Sequence, residues 1–177
     1  MDVAGFTTFS ARHTPEHVVR TLDALLSDAA RAVSGHGGVV LSYLGDGFLA
    51  TYNTPAPVAE HEAAAIDTAR QLVTLAKSHG FDVRIGIATG DLVTGIIGSE
   101  TRQSFTVYGD AVNLASRLEG LGKEHKAAIL LDEATARGAG TAQNLTKLGR
   151  LQIRGIEDAQ EVYTAPVPLP SGTGVTG

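Results

Sequence analysis

Val107-Tyr108-Gly109-Asp110-Ala111-Val112-Asn113-Leu114-Ala115-Ser116-Arg117-Leu118-Glu119 is the stretch on which the fold turns. It leaves a short β-rich run, Ser104 to Tyr108, and passes through Gly-Asp into a helical segment, Ala111 to Leu121. Asp110 is the residue type that caps a helix N-terminus. Asn113 and Arg117 stand four apart and so share one helix face. On that face Arg117 either pairs with a nearby acid such as Glu119 or Glu124, or is held for an anionic ligand.

Upstream, Thr14-Pro15 reads as an N-cap followed by proline at the first helical position. Val18, Leu22, Leu25, Leu26, Ala29 and Val33 then recur at helical spacing, and Gly35 and Gly37 can end the helix. Val39 to Leu44 and Phe48 to Tyr52 flank Gly45-Asp46-Gly47, which predicts a hairpin with Asp46 at its turn. A second long helix is expected from about Val58 to His79. Val83 to Thr89 and Leu92 to Ile97, separated by Gly90-Asp91, predict a second hairpin. Downstream lie a strand at Ala128 to Leu131, a short helix near Glu133, and strands at Leu145 to Ile153 and Glu161 to Thr164. This order predicts an α+β sandwich, helices packed on a mostly antiparallel sheet. From Pro166 on, Pro, Ser, Thr and Gly dominate, so one domain is expected over 1–164 and a disordered tail over 165–177.

Composition narrows the function classes. The chain of 177 residues is long enough for one well-buried core. Its net charge of -5 argues against a polybasic nucleic-acid surface, while leaving room for a local positive pocket. It has no cysteine, which excludes disulfides and thiolate metal sites. No apolar run approaches the ~20 residues of a membrane span, so the expected location is the cytoplasm. His13 and His17 are four apart, but Pro15 lies between them and solvated histidines are the default.

Two further pieces precede the opening stretch, Asp2-Val3-Ala4-Gly5-Phe6-Thr7 and Leu44-Gly45-Asp46-Gly47. By itself Gly45-Asp46-Gly47 is equally well turn chemistry. The three pieces together, in this order, resemble the catalytic domain of class III nucleotide cyclases, the adenylyl and guanylyl cyclases. The resemblance runs from Asp2 to about Thr164 and includes Gly155 and Val162-Tyr163. It implies a ferredoxin-like core with extra elements, the nucleotide cyclase fold. The implied reaction converts ATP to 3′,5′-cyclic AMP and pyrophosphate at sites shared across a homodimer. GTP as substrate, or a non-catalytic nucleotide-binding or dimerisation module, is the alternative.

The resemblance also assigns roles. Asp2, the Val3 main chain and Asp46 are the metal candidates, holding two Mg²⁺ or Mn²⁺ ions per site. Hard cations of this kind take oxygen ligands, commonly one or two carboxylates completed by substrate phosphates. Gly5, Phe6 and Thr7 would offer backbone N–H groups to the β- and γ-phosphates. Asn113 and Arg117 would serve as catalytic residues from the second subunit, Asn113 for the ribose and Arg117 for the α-phosphate. Leu44, Gly45 and Arg102 complete the substrate-binding candidates, with Ser42 and Thr106 facing the purine. Ser42 stands where adenylyl cyclases usually carry Lys, and Thr106 where they carry Asp or Thr. Met1 alone precedes Asp2, so the first strand is expected to be truncated. A free α-amino group there, with an ordinary pKa of about 7.7–8.0, would set positive charge beside a cation site.

Overall fold

Thr14 Oγ1 accepts a hydrogen bond from the His17 N–H at 3.4 Å, and Pro15 takes the first helical position, so the first long helix starts where the sequence predicts. The computed structural model describes residues 1–99 and 101–167, and of Arg102 and Ser104 the backbone alone. Along the chain come β1 (Asp2–Ala4), α1 (Phe6–Ser10), α2 (Pro15–Gly35), β2 (Val39–Leu44), β3 (Gly47–Thr51), α3 (His61–Ser78) and β4 (Asp82–Ile87). Then follow β5 (Val93–Ser99), β6 (Arg102–Tyr108), α4 (Asp110–Leu121), β7 (Ile129–Asp132) and α5 (Glu133–Ala139). A 3₁₀ turn at Thr141–Gln143, β8 (Thr146–Leu151) and β9 (Gln160–Thr164) complete the described chain.

Five strands form one sheet in the order β1-β4-β7-β9-β8. The β4–β7 pair is parallel and the other three pairs are antiparallel. The β2–β3 hairpin joins this sheet at the free edge of β1. There the Phe48 N–H donates to the Met1 carbonyl (3.0 Å) and the Met1 amino group donates to the Phe48 carbonyl (3.1 Å). Gly47 permits the approach, since a Cβ at that position would lie 2.2 Å from the Met1 carbonyl oxygen. With the hairpin attached, the spatial order β2-β3-β1-β4 and the intervening α2 and α3 form the ferredoxin-like βαββαβ unit that the family resemblance implies.

Strand β7 shows how the layers divide. Ile129 and Leu131 are fully buried on one face, packed with Leu25, Ala29, Ile66, Val83 and Ile85. Leu130, between them, faces the other way against Leu118, Ile153 and Val162. Helices α2 and α3 therefore cover one face of the sheet and α4 covers the other. On the α4 side Gly86 of β4 lies directly under the helix, where a Cβ would come within 1.9 Å of the Ala115 carbonyl oxygen.

Three expectations need correction. Strands β4 and β5 do not form a hairpin: β4 has β1 on one edge and β7 on the other, so β5 pairs with β6 instead. Helix α3 begins at His61 rather than Val58, after Glu60 adopts a left-handed φ of 52°. Gly109, not Asp110, is the N-cap of α4, and Asp110 is its first helical residue. Of the segment expected as a tail, Ala165 is buried and the Pro166 carbonyl accepts from Arg70 Nε at 3.1 Å. The rest of it, 168–177, lies outside the described residues.

Candidate active site

Asp2 sits on β1 directly opposite Arg84 of β4, on the sheet face that carries α4. Asp46 occupies the β2–β3 turn, entered through Gly45 with a left-handed φ of 66°. The turn folds onto β1, because Gly47 would place a Cβ 3.2 Å from the Asp2 Cα. The Asp2 charge thus reaches Asp46 although the two acids are far apart in sequence. Burial pushes the Asp46 carboxyl above its ordinary range, and the neighbouring Asp2 charge adds to this; its own backbone hydrogen bond and Arg84 act in the opposite sense.

Arg84, which the sequence reading did not single out, is the cation beside these acids. Its Nη2 donates to Asp2 Oδ2 at 2.8 Å and its Nε donates to Glu119 Oε1 at 2.8 Å. One guanidinium therefore bridges β1 and α4. The signal available in sequence was a single basic residue between Val83 and Ile85, both core-facing. The Met1 amino group lies nearby, and burial lowers its pKa against the opposing pull of the Glu119 and Asp2 charges.

The remaining candidates distribute as follows. The Val3 side chain is buried in the α2–α3 core, so only its main chain can face a ligand. Gly5 has a left-handed φ of 74°, and its carbonyl accepts from the Thr8 and Phe9 N–H groups at 3.0 and 3.1 Å. The Phe6 and Thr7 N–H groups stand at the open end of α1, while the Phe6 ring packs against Phe9 and Phe81. Ser42 and Leu44 pair with Leu49 and Gly47, one residue out of phase with the core-facing Phe48, which puts them on the Asp2 face. Thr106 is half-buried on β6, which touches β2. The Arg102 side chain lies outside the described residues.

Asp2, Leu44, Leu49, Gly86, Asn113 and Glu119 border one cleft of about 680 Å³. Gly45, Asp46 and Arg117 do not border it. The guanidinium lies round the helix, where Nη1 donates to the Gly155 carbonyl at 2.9 Å, beside a separate cleft with Asp91, Asp110 and Gln160. Asn113 borders both clefts. The alternative in which Arg117 pairs with Glu119 does not occur, since Glu119 is bound to Arg84. Among the described residues no three His, Asp or Glu side chains cluster as a metal site, and His13 and His17 merely stack at 4.9 Å.

An α+β sheet with two convergent carboxylates at one end and an Asn/Arg helix across its face is the architecture of a nucleotide cyclase domain. Residues 1–165 match the family model of the adenylate and guanylate cyclase catalytic domain, and the chain belongs to that family. Adenylate cyclase 1 of Rhizobium meliloti is 30% identical over 172 residues, covering 92% of this chain and 26% of that protein. An adenylate cyclase of Mycobacterium tuberculosis is 35% identical over 124 residues, covering 67% of this chain and 28% of its own length. The chain thus spans about a quarter of these two relatives. Among solved structures, the guanylyl cyclase Cya2 superposes with a TM-score of 0.83 at 26% identity, over 97% of this chain and 91% of that one. The adenylyl cyclase CyaB from P. aeruginosa gives 0.86 at 24% identity over 93% and 90%, a likeness of fold.

Proposed function

We propose that this domain converts ATP to 3′,5′-cyclic AMP and pyrophosphate, in a homodimer whose two sites each draw residues from both copies. The observation that supports this reading is the division of the chain: Asp2 borders one cleft, with Asp46 close enough to feel its charge, while Arg117 of the same chain is turned to a neighbouring cleft. A second copy can present Arg117 where the first presents its acids. Exposed apolar side chains, among them Ile96 on the β5–β6 hairpin and Leu44 on the Asp2 face of β2, supply contacts for that pairing. The adenylate cyclases among the relatives favour ATP.

The donor set suits Mg²⁺ or Mn²⁺. Among the described residues no His, Asp or Glu joins Asp2 and Asp46 in a three-ligand cluster, and two carboxylates alone leave coordination positions for phosphate oxygens. Asp2, Asp46 and the Val3 main chain would hold two such cations, which would supply charge neutralisation for the attacking 3′-oxygen and the α-phosphate. Asn113 orients the ribose, so that the 3′-oxygen stands in line with the leaving pyrophosphate. Arg117 of the second copy stabilises charge on the α-phosphate. The Phe6 and Thr7 N–H groups, following Gly5, receive the terminal phosphates, and Ser42 and Thr106 border the purine. Such a domain works where ATP and Mg²⁺ are supplied, in the cytoplasm.

Purified protein with ATP and Mn²⁺ is expected to form cyclic AMP. Asp46→Ala and Arg117→Ala should each lower kcat by about 10³-fold, the scale of in-trans arginine contributions. Mixing the two inactive proteins should restore about a quarter of parental activity, since half the C2 dimers then hold one intact site. If both variants match the parent, the assigned roles are wrong. Ser42, too short to reach a base edge as Lys would, favours relaxed purine choice as a second reading. Competition between ATP and GTP in one assay decides it, and nucleotide binding without turnover would indicate a non-catalytic module.

A further inference from the structure

We propose that the groove between β3 and β4 is a docking site for an extended, apolar stretch of another polypeptide, which joins the sheet there as a strand in line with β1. The inference goes beyond the cyclase reading and does not depend on it.

Strand β1 separates β3 from β4 at one end only. Phe48 of β3 exchanges backbone hydrogen bonds with Met1, and Asp2 pairs with Arg84 of β4. Beyond these pairs β3 runs on through Ala50 and Thr51, and β4 through Gly86 and Ile87. Their outer partners are β2 and β7, and no described strand lies between them. Two strands with a third between them stand roughly 9.5 Å apart, twice the interstrand spacing. The cleft of about 680 Å³ continues from Met1 and Asp2 between these two edges.

The edges of this groove are polar and its walls are not. The Ile85 N–H donates to the Ala128 carbonyl on the β7 side at 2.8 Å, so Gly86, the next residue, turns its N–H and carbonyl into the groove. Ala50, two residues beyond Phe48, does the same from β3. Ala69 and Leu72 of α3 line one wall, and Val112 and Ala115 of α4 line the other. At the far end the Tyr52 hydroxyl is buried beside Thr68 with no hydrogen-bond partner within reach.

Buried backbone donors and acceptors require partners. A groove edged by main chain on both sides therefore selects an extended peptide over a compact ligand. In strand addition the main chain supplies affinity and the side-chain surroundings supply selectivity. Because both walls are apolar, the fitting segment is a continuous apolar run rather than an alternating one. Its length is about four residues, enough at ~3.3 Å each to lie opposite Leu49 to Tyr52. A seated strand ends at Met1, next to Asp2, and so links a protein partner to the strand that carries a metal candidate.

The test uses the full chain and a synthetic peptide, Lys-Lys-Thr-Val-Val-Ile-Val, whose lysines keep it soluble. Calorimetry should show saturable one-to-one binding. Amide exchange followed by nuclear magnetic resonance should slow at Ala50 and Gly86 by about tenfold or more, the scale of one net hydrogen bond. A peptide with proline at the central valine keeps the apolar surface but loses a ladder donor, and should bind at least about tenfold more weakly. Ala65→Phe, which puts a ring into the far part of the groove, should weaken binding in a chain that still melts cooperatively. Several results overturn the proposal: no binding at ~1 mM peptide, equal binding of the proline peptide, or protection confined to the exposed edge at β8. So does protection of Ala50 and Gly86 only when the same peptide is fused ahead of Met1, which would mean that the groove is filled from within one chain. None of these measurements uses nucleotide, so their failure is distinct from failure of the cyclase reading.

Discussion

Tyr52 shows how far a single side chain departs from its sequence reading. It reads as the end of a β-rich run, yet its ring lies so close to Gly38 that a Cβ there would meet Cζ at 2.6 Å. Burial pushes its phenol pKa up to about 12. A raised value means that the folded state keeps its proton after the unfolded chain has lost it. The associated stability is complete below about pH 10 and is lost as pH rises toward 12, by about 1.4 kcal/mol per unit. Tyr52→Phe should remove that alkaline slope in urea titrations at pH 9 to 12, and an unchanged slope would refute the assignment. The site acids were legible for a different reason: Asp2 and Asp46 belong to ordered short patterns, which survive in sequence even when the residues are distant. Arg84 belongs to none. Its meaning comes from which strand lies beside β4 and which helix lies over it, and pairing of that kind is absent from local sequence.

Helices α2, α3 and α4 could be read from local patterning, because such signals act within a few residues, though the N-terminal cap was legible only for α2. The β4–β5 connection could not. Gly90-Asp91 between two β-rich runs is a sound hairpin signal, but it says nothing about whether the edges of the first strand are already taken. Here β1 and β7 take both edges of β4, and β5 is left to pair with β6. Thr89, just beyond β4, donates its N–H to Asp132 Oδ1 at 3.4 Å, which ties the loop to the start of α5 rather than to β5. The contact of α4 with β4 is equally non-local, and Gly86 is its condition. Gly86→Ala would drive a Cβ into the α4 backbone, 1.9 Å from the Ala115 carbonyl oxygen and 2.5 Å from the Glu119 nitrogen. Because backbone, not a flexible side chain, must give way, the cost should reach or exceed the 1–3 kcal/mol typical of overpacking. Chemical denaturation should show a lowered midpoint with an unchanged m-value. A variant as stable as the parent would mean that α4 does not rest on β4 as described.

The molecule as a whole is well packed on both sheet faces yet leaves several large apolar side chains uncovered. Val93, Ile96 and Ile97 on the β5–β6 hairpin are 71%, 68% and 51% exposed, and Tyr43 and Leu44 on β2 are 55% and 64% exposed. The described chain does not bury them, and the site it builds lacks Arg117 in the cleft of Asp2. A second copy answers both conditions at once, because a two-fold pairing offers each chain the same surface and the missing half of a site. Activity should then depend on protein concentration, with specific activity falling on dilution below the dimer dissociation constant. Ile96→Glu puts a charge on a surface that must lose water on pairing, while in the isolated chain it remains solvated and should leave folding stability within about 0.5 kcal/mol. Sedimentation velocity should show a shift from dimer to monomer, the cyclase rate should fall in proportion to the dimer lost, and excess protein should recover it. If Ile96→Glu sediments as a dimer with parental activity, the pairing surface lies elsewhere. If it sediments as a monomer and keeps its rate, each chain holds a complete site and the shared-site reading fails.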